Sequence, residues 1–207
     1  MTSSLRLVAV LCGMAWLCGC GSEPRHASAA PVDSLTLRPG YLIDSVFPMD
    51  EMLRRFRANL GPAPSTLEDA PASRDELVRE LVRALAQRDS AALGRLHLSR
   101  GEFAWMYFPT SRFASPPYEL PPEVLWMQMT AESNKSIART LRGFPKDATY
   151  LGHACDATPG IEGANRLWTG CLVRWRRRDG GEGAARLFGT ILERDGRYKF
   201  VSYANGD

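Results

Sequence analysis

No stretch of this 207-residue chain reaches the roughly 18 consecutive apolar residues that mark a bilayer-spanning helix. Charge of one sign is scarce as well. Lys and Arg number 26 against 23 Asp and Glu, a net +3 that is too even to point to nucleic acid. There is no Ser–His–Asp signature, no glycine-rich phosphate loop and no cluster of metal ligands, so no cofactor is expected. Cysteine is sparse: five in all, three of them among the first twenty residues. What is present is ordinary globular composition, 44% hydrophobic and 24% charged, too apolar for a disordered chain. The length suits one domain with appendages, or at most two small domains.

The first twenty residues read as an address. A weakly basic start precedes residues 7–18 (LVAVLCGMAWLC), apolar except for Gly13. That run is too short to span a bilayer but fits a secretory signal. It ends in Leu17-Cys18-Gly19-Cys20, which resembles a bacterial lipobox. The resemblance implies cleavage after Gly19, lipidation with palmitate-type chains on Cys20, and residence in the cell envelope. Gly21 rather than Asp after the cysteine favours the outer membrane, facing the periplasm, over the inner one. The alternatives are an ordinary signal peptide and a short buried helix. Several acyl chains, at about 0.8 kcal/mol per buried methylene, make a firm membrane anchor.

Besides Cys20, the processed chain retains only Cys155 and Cys171. In an oxidising compartment they read first as a disulfide, worth about 3 kcal/mol in the chain-entropy model. A metal site with His153 and free buried thiols are the alternatives; no CxxC pair and no second nearby histidine support the metal.

The chain divides into a signal peptide (1–19), a tether (20–33), an N-terminal segment (34–72) and a globular domain (73–207). Within the segment, Pro48 can open a short helix whose Met49, Met52, Leu53, Phe56 and Leu60 form one stripe. Residues 61–71 (GPAPSTLEDAP) read as a linker. Ser73 and Glu76 form a capping-box pattern ahead of the stripe Leu77, Val78, Leu81, Val82 and Leu85. Asp89 or Ser90 restarts a short helix, and Ser99 with Glu102 repeats the box. Residues 109–117 must be irregular because of their prolines. Another helix follows Pro122 to about Arg142, with Leu125, Trp126, Met129, Ile137 and Leu141 inward.

From Thr149 the pattern alternates with period two, predicting four strands: 149–155, 166–177, 184–193 and 197–204. Asp195-Gly196 is a strong hairpin turn. The implied register pairs Arg194 with Arg197, Ile191 with Phe200, Cys171 with Ile191, Trp175 with Leu187, and Leu151 with Trp175. A second face then carries Trp168, Leu172, Phe188, Leu192, Val201 and Tyr203 among Arg174, Arg176, Arg186 and Lys199. Both faces need covers. For the second, residues 49–60 folding back are favoured over a sheet-to-sheet dimer, because like charges would meet across the dimer axis. The fold class is therefore α+β, helices packed on a four-stranded antiparallel meander.

The stretch 81–96 (LVRALAQRDSAALGRL) resembles the opening of nuclear transport factor 2-like (SnoaL-like) domains, and the later order of elements is similar. The likeness spans about Ser73 to Ala204. It implies a cone-like, cystatin-like sheet wrapped on a helix around a pocket. That superfamily includes enzymes, binders and inert dimers, so fold alone gives little function.

The acid–base groups available to a pocket are His97, Glu102, His153 and Asp156. His153 shares a face with Cys155 and Val173, where burial could tune it; a histidine at a strand end with a backbone partner is the plainer reading. The aromatic run Phe103, Trp105, Tyr107, Phe108, Phe113 and Tyr118, with Trp126, is either core or the lining of an apolar site. The candidate pocket is thus Trp105, Tyr107, Tyr118, Trp126 and His153. The basic run Arg174, Arg176, Arg177 and Arg178 is either solvated or apposed to acidic headgroups. The preferred expectation is a non-enzymatic envelope lipoprotein binding a protein partner or an apolar small ligand. The alternatives are a SnoaL-like enzyme or binder and a self-associating structural lipoprotein.

Overall fold

The computed structural model describes residues 47–203. The signal peptide, Cys20, the tether and Ala204 at the expected end of the last strand lie outside the described residues. The described chain is α+β, with five α-helices and two antiparallel sheets. No helix among the described residues is long and apolar enough to cross a membrane.

Helix α1 (Met49–Arg57) starts directly after Pro48. Helix α2 (Arg74–Gln87) is capped by Ser73, whose Oγ accepts from the Glu76 amide at 3.1 Å. The Glu76 carboxylate reaches one residue further back than a capping box requires, to the Ala72 amide at 3.0 Å. Asp89 caps α3 (Ser90–Leu96) through the Ala92 amide. Ser99 and Glu102 form a complete capping box at α4 (Arg100–Glu102). The helix then widens into a π turn over Phe103–Tyr107. Carbonyls loosened by that turn are taken by side chains: Arg57 donates to Ala104 O, while Asn165 and Arg194 donate to Met106 O. Helix α5 (Pro122–Gly143) has proline in its first turn, where the missing N–H costs nothing.

Seven strands, not four, make up the sheets. They are β1 (Thr149–Ala154), β2 (Gly160–Glu162), β3 (Asn165–Trp168), β4 (Leu172–Arg176), β5 (Glu182–Ala185), β6 (Thr190–Arg194) and β7 (Arg197–Ser202). The sheets order as β1-β4-β5 and β2-β3-β6-β7. The expected strand 166–177 breaks at Thr169–Cys171, where Gly170 has φ +64° and a Cβ would strike the Asp156 carboxylate. The expected strand 184–193 breaks at residues 186–189. Each half then pairs in a different sheet, so the meander turns a corner. β2 pairs with β3 through a turn at Gly163, φ +60°, an element too short to read from alternation.

The register is right where turn chemistry or the cysteines set it and wrong across the breaks. Arg194 pairs with Arg197 and Ile191 with Phe200. His153 faces Val173 and Ala154 faces Leu172, which brings Cys155 to Cys171, their sulfurs 2.05 Å apart. A bulge between Tyr150 and Gly152 puts Tyr150, not Leu151, opposite Trp175. Trp175 pairs with Gly183 rather than Leu187, and Ile191 with Trp168 rather than Cys171.

A second shift between Thr190 and Ile191 redistributes the two faces. Phe188 and Tyr203 join Ile191, Phe200, Val173 and Leu187 in a core beneath α2 and α3. Leu192 and Val201 face the other way, onto Leu98, Phe103, Tyr107 and Phe108. Leu172 belongs to neither core and is 44% exposed. The aromatic run, rather than residues 49–60 directly, covers the second face. Helix α1 lies over that run, with Phe56 edge-on to Phe103 at 5.7 Å. The expected linker at residues 61–71 is part of the body, since Leu67 and Ala70 are buried in the same core.

Candidate ligand-binding cavity

Helix α3 stops at His97, whose extended backbone carries the chain alongside β7. The Leu98 amide donates to Phe200 O at 2.9 Å. This fixes His97 beside the end of β7. Across from it, α5 presents Trp126, Thr130, Ser133, Ile137 and Leu141, spaced by three or four residues and therefore on one helical stripe. Between the two lies a cavity of about 340 Å³, also lined by Leu93, Gly94 and Tyr203. That volume lies within the range of small-molecule sites.

Two of the lining residues each hold a polar atom that is buried out of reach of the cavity and has no hydrogen-bond partner meeting standard geometry, His97 Nε2 and Thr130 Oγ1. Other polar groups around them are satisfied. Tyr203 donates its hydroxyl to Leu93 O at 2.7 Å, and its amide donates to Ser133 Oγ at 3.1 Å. Burial pushes the Tyr203 phenol up and keeps it neutral. His97 Nδ1 lies 2.8 Å from Leu98 O. A carbonyl can only accept, so Nδ1 carries the proton and Nε2 the lone pair. Burial is the largest influence on the imidazole and holds its pKa below 6.5. The Leu98 and Val201 carbonyls pull upward, the Lys199 charge adds to the fall, and Glu102 opposes it. The ring sits 5.5 Å from that of Tyr203 and 6.4 Å from that of Trp126.

The five candidate pocket residues do not meet in one place. Trp126 lines this cavity. Trp105 lies under the Arg57 guanidinium at 3.8 Å, Tyr107 is in the second core, and Tyr118 is 52% exposed. His153 sits in a small groove with Gly152, Ala154, Leu172 and Arg174. There Tyr150 donates its hydroxyl to Asp75 at 2.6 Å, so His153 Nδ1, at 2.7 Å, donates to the same oxygen. Burial lowers the His153 pKa, the Arg74 charge adds to this, and Asp75 opposes it.

Of the other acid–base candidates, Glu102 is fully buried and committed. It accepts from the Glu68 and Ser99 amides, each at 2.7 Å, and pairs with Lys199 Nζ at 2.9 Å. Asp156 accepts from the Thr169 hydroxyl. In the basic run, Arg176 pairs with Glu182 at 2.7 Å and Arg177 with Asp179 at 3.6 Å. No group of three or more His, Cys, Asp or Glu among the described residues could hold a metal ion.

His97 was legible as an acid–base group at a helix end and Trp126 as part of an aromatic run, but Thr130 was not singled out at all. The available signal was the polar interruption at Thr130 and Ser133 in an otherwise apolar α5 stripe. No family model, curated protein or solved structure matches this chain.

Proposed function

We propose that this chain is a lipid-anchored envelope lipoprotein, held at the outer membrane through Cys20, whose domain binds a small apolar molecule. The observation that carries the binding function is the cavity of about 340 Å³ between α3, α5 and β7, with Leu93, Trp126, Ile137 and Leu141 as its apolar lining and Ser90, Ser133 and Asn134 among its polar groups. A concave, mostly apolar site with a few polar groups is the usual form of a small-molecule pocket. The domain is read as a binder rather than an enzyme because Glu102, an acid close enough to influence His97, is already held by two amides and a lysine. The anchor reading rests on the lipobox sequence. The cone-like, nuclear transport factor 2-like architecture is supported by the corner in the meander and by helices α2 and α3 packed inside it.

Gly94 provides the test, because it lines the cavity and a Cβ there meets nothing within 4 Å. Gly94→Leu adds bulk to the cavity wall while improving helix propensity. The full chain in nanodiscs should enhance the fluorescence of the neutral probe N-phenyl-1-naphthylamine, and Gly94→Leu should weaken that binding about ten-fold at unchanged melting. Equal binding by both proteins overturns the cavity as the site. For the anchor, Cys20→Ala should shift the protein from the membrane to the soluble fraction, and its retention there would overturn lipidation.

A further inference from the structure

The face of β1-β4-β5 that turns away from the first core is open. Alternation along β4 sends Val173 and Trp175 toward that core and leaves Leu172, Arg174 and Arg176 exposed on the other side. Residues opposite one another in a ladder share a face, so their neighbours there are Thr149, Gly152 and Ala154 from β1 and Glu182 and Ala184 from β5. The only charge among those neighbours is Glu182, which Arg176 holds at 2.7 Å. β4 runs on into Arg177 and Arg178. The Arg178 amide donates to Asp147 at 3.0 Å, which brings Lys146 alongside. The face is basic, and it carries a leucine that neither core covers, 44% exposed.

We infer that this face docks on a bilayer surface carrying anionic lipid headgroups, an inference that rests on the lipid-anchor reading above. Charge complementarity selects the partner. The nearby carboxylates are engaged: Asp147 by the Arg178 amide, Asp179 by Arg177 and the Gly181 amide, and Glu182 by Arg176. Arg174 and Lys146 form no salt bridge among the described residues. The Arg176 and Arg177 pairs are half-exposed, and pairs of that kind hold their partners weakly enough to turn toward phosphates. Guanidinium groups then bind phosphate oxygens two at a time, and Leu172 meets the apolar boundary beneath the headgroups. The anchor favours a membrane over an acidic protein. Residues 20–46 span at most about 90 Å when extended, and a domain of this length is roughly 40 Å across. The lipid end therefore does not dictate which face turns to the bilayer, and surface charge does. Attachment also keeps the local concentration high, so a weak attraction suffices.

The chain's lysines report on the face: Lys146 flanks it, Lys135 lies in the middle of α5 beside Glu132, and Lys199 is buried. The full chain in nanodiscs is acetylated with the neutral reagent N-succinimidyl acetate, and each lysine is read by mass spectrometry. Discs of phosphatidylcholine alone are compared with discs containing phosphatidylglycerol. At low salt Lys146 should react about five-fold more slowly in the anionic discs, while Lys135 changes by less than about two-fold. Salt at about 0.5 M should abolish the difference, because surface charge is then screened within a few ångströms. Arg174→Gln combined with Arg178→Gln removes two exposed charges and should cut the protection of Lys146 to below about two-fold. Equal reaction of Lys146 in both discs, from a chain that co-purifies with them, overturns this inference and leaves the anchor standing. Parallel slowing of Lys135 and Lys146 overturns the choice of face, and full protection in the double variant overturns it as well. A chain that does not stay with the neutral discs overturns the anchor reading and this inference together. The comparison of discs needs no variant, so a failure of the double variant to fold does not protect the proposal.

Discussion

Strands β6 and β7 carry a core on each face, and the two are built differently. Toward α2 and α3, Ile191, Phe200 and Phe188 meet Leu77, Leu81 and Leu85, and the interior is hydrocarbon. Toward α1 and the π turn, Leu192 and Val201 lie among aromatic rings. Through that region run a buried Glu102–Lys199 pair and the Asn165–Arg194–Met106 hydrogen bonds. The first core requires only apolar side chains at helical and strand spacing. The second works only if particular polar groups arrive together from distant parts of the chain. Its hydrogen bonds shape an irregular backbone that packing alone would not select.

The comparison breaks most completely if the N-terminal part of the second core is removed. Deleting residues 21–71 takes away Phe56 and Leu67, each worth roughly 1.5–3 kcal/mol of burial, and uncovers Phe103. The truncated chain should aggregate or melt far below the parent in thermal unfolding, while a soluble product with unchanged melting would show the segment to be a mere tether. Next in size is the ion pair. Lys199→Met leaves a buried carboxylate holding only amides and should lose about 3–5 kcal/mol in urea unfolding. Adding Glu102→Gln should recover part of that loss, because the uncompensated charge goes with it. A loss below 1 kcal/mol for the single change would mean the pair is not closed in solution.

The same contrast explains what the sequence could reveal. The first core was legible because Ser73 caps α2 and its stripe repeats cleanly to Leu85. Asp195-Gly196 similarly fixed the β6–β7 pairing, both residues taking positive φ as that turn requires. The corner in the meander was not legible, since alternation continues in type across Thr169–Cys171 whether or not the backbone turns. Its cause is the left-handed Gly170 packed against Asp156, a contact fourteen residues apart in the sequence that no local pattern encodes. Lys199 read only as one of four charges on the second, covered face, with no partner named, because Glu102 already had a local explanation as a helix cap. The cavity was not assembled from the sequence because its lining comes from the end of α3 and one stripe of α5, and although His97 and Trp126 were each named, no local pattern joins them.

On the hydrocarbon side, the staple between β1 and β4 gives an intermediate effect. Cys171 is buried in the first core and Cys155 packs against it. Replacing both by alanine opens a short loop and should cost about 3 kcal/mol, read as a lower urea midpoint at similar slope. Reducing the native protein should reproduce that loss. An unchanged midpoint after reduction would mean that β1 and β4 are held by packing alone.

The smallest expected effect lies at the seam between the two cores, where His97 stands. Its folded pKa is below the ordinary 6.5, chiefly through burial, so the folded protein keeps the ring neutral at a pH where the unfolded chain protonates it. The unfolded state then binds more protons, and stability must fall as pH drops below about 6.5, while the full value holds above. His153 is shifted in the same direction by its own burial and Arg74, and contributes a parallel slope. His97→Gln separates them, since it keeps a polar side chain but removes the titration. The native chain should lose stability between pH 7 and pH 5 in urea unfolding, and the variant should lose less, retaining only the His153 share and that of any carboxylates. Parallel profiles for the two proteins would mean that His97 is as accessible to protons when folded as when unfolded.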